Sequence, residues 1–145
     1  MKIALKYGIA VTLVIAVWVA LKHFVLHLEG PAAQTADMVI FNLAAIVGLA
    51  LGIREKRVAN GGALTFFDGW KTGVAIAITY ALLTCLYFGI LIAAMGPRIM
   101  QQAGHTSYLA AFAGLAIGLA LIGTVFAAII ALLLRKGMPM NIGGC

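Results

Sequence analysis

The sequence predicts an all-α, polytopic membrane protein: four transmembrane helices, both termini cytoplasmic, and an interfacial start to helix three. Three observations predict it. First, the chain is 64% hydrophobic and 10% charged, with a mean hydropathy of +1.12. A soluble domain is about half apolar and about a quarter charged, so this chain has too few charges to cover a soluble surface. Second, its apolar residues gather into four stretches long enough to match the roughly 20 residues that cross a bilayer. Third, the charges lie in the gaps, and the basic ones alternate. Lys2, Lys6, Arg54, Lys56, Arg57, Lys71, Arg135 and Lys136 fall on one side, whereas Lys22 and Arg98 fall on the other. Cytoplasmic loops hold the excess of Lys and Arg. Both termini and the 54–72 loop are therefore expected in the cytoplasm, with the protein in the inner (plasma) membrane.

The chain reads as a single membrane domain over residues 1–145. Span one runs from about 6 to 28. Its basic start resembles a signal peptide, but a cut after Ala20 would leave bulky Trp18 where a small residue is needed, so a retained helix is expected. Lys22 is expected to snorkel toward the headgroups. Glu29-Gly30-Pro31 stops the span.

Span two runs from about 35 to 53. Thr35 is a candidate N-cap, with Asp37 at the positive end of the helix dipole; Pro31 at the first helical position is the alternative start. Arg54-Glu55-Lys56-Arg57 ends the membrane portion. Span three, 65–95, opens on a capping box. Thr65 can accept from the Asp68 backbone N–H, and Asp68 can reach back. About 30 residues make about 45 Å of helix, more than the roughly 30 Å hydrocarbon core. Either the helix tilts, or its first two turns lie in the interface and bend near Gly69 and Gly73. Phe66, Phe67 and Trp70 favour the interface. Span four, 107–134, is capped by Thr106 or Ser107 and ended by Gly137 and Pro139.

Lipid gives no hydrophobic drive between helices, so small residues must allow close packing. Three four-residue stripes are candidates: Ala44, Gly48 and Gly52 on span two, Gly69 and Gly73 on span three, and Ala110, Gly114 and Gly118 on span four. Internal packing is the first expectation for them, and a dimer interface the second.

Ionisable groups deep in a membrane mark transport paths, and none lies near the centre of a span. The first span offers only Thr12 as a mid-span polar group, which argues against a proton-coupled exporter built on an embedded carboxylate. Tyr80, Thr84 and Tyr87 share one face of span three. They are read first as interhelical hydrogen-bonding groups and second as a polar groove. His23 and His27 have a spacing that suits metal ligation, but an isolated pair at a helix end is weak; no metal and no cofactor is expected. Cys85 and Cys145 should lie at different depths and stay free. The net charge of +6 flanks spans rather than forming a face, so nucleic acid is excluded as a partner. No phosphate loop, nucleophile elbow or zinc-protease helix is present. Arg54, Arg57, Lys71 and Trp70 are expected at the cytoplasmic loop, in contact with headgroups.

That loop also carries a family resemblance. Gly52-Ile53-Arg54-Glu55-Lys56-Arg57, Gly61-Gly62, Leu64-Thr65-Phe66 and Gly69-Trp70-Lys71-Thr72-Gly73 resemble the bacterial membrane proteins grouped as domain of unknown function forty-one ninety-nine. The resemblance implies the same four-helix layout and no activity. The expected function is that of a non-enzymatic inner-membrane protein, a structural or accessory component of a membrane assembly. Its partners would be lipids and other membrane subunits or further copies of itself. The alternative is a small oligomeric transporter or channel using the Tyr80–Thr84–Tyr87 face.

Overall fold

Gly30 and Pro31 set the first chain reversal. Gly30 adopts φ 85°, a left-handed conformation open to glycine at no steric cost. Its carbonyl accepts from the N–H groups of Ala33 and Gln34 at 3.1 and 3.3 Å. Pro31, which lacks an N–H, occupies the first helical position, where no partner exists for one. The second helix therefore begins at Pro31, four residues before Thr35. Thr35 is not its cap: its hydroxyl donates back to the Pro31 carbonyl at 3.0 Å.

The computed structural model describes residues 2–26, 30–95 and 108–134. Helix α1 is Lys2–Leu21, extended by one π-helical turn over Lys22–Leu26. Helix α2 is Pro31–Ala59, α3 is Phe66–Met95 and α4 is Tyr108–Leu134. All four are long and apolar enough to cross a membrane. The Arg54–Arg57 run stays helical, and α2 ends only at Ala59. The turn that follows needs two left-handed residues, supplied by Gly61 at φ 70° and Gly62 at φ 89°. Gly62 N–H donates to the Arg57 carbonyl at 3.0 Å, and Arg57 Nε donates to the Gly62 carbonyl at 3.1 Å. Arg57 thus closes the turn.

Thr65 caps α3, accepting from the Asp68 N–H at 3.2 Å. The second half of the box differs from expectation. The Asp68 carboxylate accepts from the Thr65 hydroxyl at 2.7 Å, not from a backbone N–H. Helix α3 is unbroken over 30 residues. A Cβ added at Gly69 would meet Ala131, and one at Gly73 would meet Ala127 and Ile53. Those glycines are closed against α4, so the first two turns belong to the bundle and do not bend away from it.

Contacts along the helices fix their directions. Gly8 touches Thr79, and two turns further along each helix Tyr87 bonds to Ala16; α1 and α3 are parallel neighbours. Gly69, Gly73 and Gly123 pair α3 with α4 in antiparallel register, against Ala131, Ala127 and Ala77 respectively. Gly48 lies on Val11, and Gly52 on Tyr7 and Ile76, which joins α2 to α1 and α3. Helix α3 packs on all three others, and α2 likewise. Between them Val11, Ile15, Val19, Leu49, Ile76, Tyr80 and Ala127 form the core.

One expected stripe does not take part. Ala110 is exposed, and among the described residues a Cβ at Gly114 or Gly118 would meet nothing within 4 Å. Helix α4 packs instead through Gly123, Ala127 and Ala131, a second small-residue series with the same spacing, about one helical turn further on. Side chains such as Leu13, Val17, Leu82, Leu86, Leu121 and Val125 remain exposed. An apolar exterior over four long helices is the surface that hydrocarbon requires.

Candidate functional site

Polar groups occur at three levels of the bundle. At the end where α1 turns into α2, Lys22 Nζ lies 2.5 Å from Asp37 Oδ2, and Trp18 Nε1 donates to Asp37 Oδ1 at 2.8 Å. The ammonium side chain is 13% exposed and the carboxylate 25%. Lys22 reaches across the hairpin to Asp37. Asp37 is held by α1 side chains in the second turn of α2. Both oxygens of this half-buried carboxylate have donors, which such a group requires.

The π turn Lys22–Leu26 also carries His23. His27, Glu29 and His105 lie outside the described residues. Among the described residues, no three His, Cys, Asp or Glu side chains converge as metal ligands would.

At mid-depth lies the face named by Tyr80, Thr84 and Tyr87. The Tyr80 hydroxyl donates to the Leu119 carbonyl at 3.0 Å, and that of Tyr87 to the Ala16 carbonyl at 3.3 Å. The two tyrosines thus lash α3 to α4 on one side and to α1 on the other. Gly123 makes the first bond possible: a Cβ there would stand 2.5 Å from the Tyr80 hydroxyl. Tyr80 is 1% exposed and Thr84 0%, so these groups line no open groove. Among the described residues Thr84 Oγ1 has no partner. Thr12, Asn42, Thr79 and Thr124 each donate to the carbonyl four residues earlier. The Cys85 thiol is free and faces the Phe112 carbonyl at 3.9 Å; Cys145 lies outside the described residues.

At the opposite end, which holds the 60–65 turn, Glu55 Oε2 accepts from Lys6 Nζ at 2.6 Å and from the Tyr7 hydroxyl at 2.7 Å. The Lys6 ammonium stands 5.0 Å from the Tyr7 ring centroid. Glu55 is therefore a helix residue bound to α1. Arg54 and Lys71 are exposed, and Trp70 is half-buried against the core.

The two ion pairs are legible in the sequence. Counted outward from Gly30 in an antiparallel hairpin, Lys22 and Asp37 fall opposite each other, and so do Lys6 and Glu55. Opposite charges at nearly equal distance from a turn are the signal.

A bundle with an apolar exterior, four membrane-length helices and interior polar groups bonded mainly to its own backbone is a multi-pass helical membrane protein. This chain belongs to the family described as Protein of unknown function (DUF4199), whose model matches residues 6–113. The match takes in α1 to α3 and the start of α4. No curated protein and no solved structure matches the chain.

Proposed function

We propose that this chain is a non-enzymatic integral protein of the inner membrane, a structural or accessory component of a larger membrane assembly, with both termini in the cytoplasm. One observation carries the reading. The mid-membrane polar groups with partners are tied to helix carbonyls, through Tyr80, Tyr87, Thr12, Thr79 and Thr124. Polar side chains committed in this way stabilise a scaffold and leave no polar path through it. The alternative, a transport path along the Tyr80–Thr84–Tyr87 face, would need that face open, and Tyr80 and Thr84 are buried.

Small-residue packing serves this role twice. Gly48, Gly52, Gly69 and Gly73 bring the four helices together at close range. The Ala110–Gly114–Gly118 face of α4, unfilled by the described residues, is the surface we assign to a neighbouring membrane helix. The orientation rests on the excess of Lys and Arg at the end holding Lys2, Lys6 and the 54–72 segment.

Purification in mild detergent after cross-linking in cells tests the reading. A defined membrane-protein partner, or a second copy, should co-purify. Recovery as a lone monomer would contradict it. Single cysteines near Arg57 should label only after the cytoplasmic side is opened; labelling from outside intact cells would reverse the topology.

A further inference from the structure

We propose that the cleft between α1 and α3, at the end of the bundle holding Lys2, Lys56 and Lys71, is a binding site for an anionic glycerophospholipid. The two helices are parallel and touch where Gly8 meets Thr79. On the N-terminal side of that crossing they separate, and a cleft of about 840 Å³ opens between them. Lys2 of α1, Lys56 of α2 and Lys71 of α3 line it, together with the apolar side chains of Ile3, Ala75 and Ile78.

Charge identifies the occupant's head. The carboxylates at this end are already engaged, Glu55 by Lys6 and Tyr7, and Asp68 by Thr65. Lys2, Lys56 and Lys71 have no acidic partner within ion-pair distance among the described residues. Three uncompensated ammonium groups from three helices around one cleft make a site for a phosphate-bearing headgroup. Basic pockets between membrane helices take such headgroups.

Apolar lining identifies the tail. Lys71 to Thr79 spans about 12 Å of helix axis, enough for a headgroup above and the upper part of an acyl chain below. The hydroxyls of Thr72 and Thr79 donate to the Asp68 and Ala75 carbonyls, so the lower cleft makes no demand for water. Leu5 and Ile78 on its rim are 55% and 48% exposed, which leaves the cleft open sideways, toward the bilayer. A free phosphate ion would satisfy the lysines and leave the apolar depth empty. A phospholipid satisfies both.

The test is native mass spectrometry of the full chain released from neutral detergent, with phosphatidylglycerol or phosphatidylcholine of matched acyl chains added. Retained phosphatidylglycerol and little phosphatidylcholine are expected. Lys56→Gln should weaken retention about fivefold. Arg54→Gln, two residues away on the same helix and outside the cleft, should leave it unchanged. Ala75→Phe keeps every charge and fills the cleft from an exposed position, so it should abolish retention. Equal loss from Lys56→Gln and Arg54→Gln, or full retention by Ala75→Phe, would reduce the effect to general surface charge and overturn the site. Displacement of the lipid by millimolar inorganic phosphate would overturn the lipid as occupant.

Discussion

Replacing Gly123 by alanine places one methyl group at the junction of α3 and α4. The new carbon would stand 2.5 Å from the Tyr80 hydroxyl, 2.7 Å from the Ala77 Cβ and 3.3 Å from the Tyr80 Cζ. Something must move, and the Tyr80 hydroxyl is anchored to the Leu119 carbonyl one turn away. Overpacking of this kind costs about 1–3 kcal/mol. Loss of the interhelical hydrogen bond adds about 0.6 kcal/mol, so Gly123→Ala should destabilise the bundle by about 2–4 kcal/mol. Tyr80→Phe alone removes the bond and should cost about 0.6 kcal/mol. It also removes the atom the methyl group would strike, so the two changes are coupled. In the Tyr80→Phe background, Gly123→Ala should cost about 1 kcal/mol less than in the parent chain; the approach to Ala77 remains. Unfolding by sodium dodecyl sulfate titration from mixed micelles, monitored by helix content, measures all four corners of the cycle. Equal cost of Gly123→Ala in both backgrounds would refute the argument that Gly123 exists to admit the Tyr80 hydroxyl.

Other substitutions probe other levels of the bundle. Thr84→Val exchanges a buried hydroxyl without a partner for a methyl group of the same shape, and should be neutral or stabilising by up to about 1 kcal/mol in the same titration. Asp37→Leu should destabilise by about 1–3 kcal/mol because it strands a half-buried ammonium; adding Lys22→Met should recover part of the loss, since removal of both charges leaves neither unpaired. Gly48→Ile should destabilise the monomer strongly, because Val11 occupies the space its Cβ would need. Gly118→Ile should leave monomer stability unchanged and weaken association with a neighbouring helix, read by cross-linking yield.

The helices themselves were legible because composition and charge placement are coarse, strong signals. Four apolar runs separated by charged gaps admit little else at this length. The boundaries were less so. Thr35 and Pro31 both carry start signals, and Pro31 prevailed because Gly30 supplies the left-handed residue ahead of it. Packing faces were harder still. Helix α4 offers two small-residue stripes, Ala110–Gly114–Gly118 and Gly123–Ala127–Ala131, and spacing cannot choose between them. The choice belongs to α3, whose Gly69 and Gly73 come opposite Ala131 and Ala127 once the hairpin forms. Lys22–Asp37 and Lys6–Glu55 were visible only after two helices were set antiparallel about Gly30. The cleft at Lys2, Lys56 and Lys71 could not be read at all from the chain, since it joins three helices and depends on how α1 and α3 splay beyond Gly8.

The Gly114–Gly118 face of α4, unfilled by the described residues, is the surface assigned to a neighbouring membrane helix. A photoactivatable cross-linker placed at Gly118 in living cells tests this most directly. The account predicts one defined membrane-protein product, a partner subunit or a second copy, absent when the same cross-linker is placed at Leu82 on α3. A monomer labelled only by lipid at both positions would contradict it.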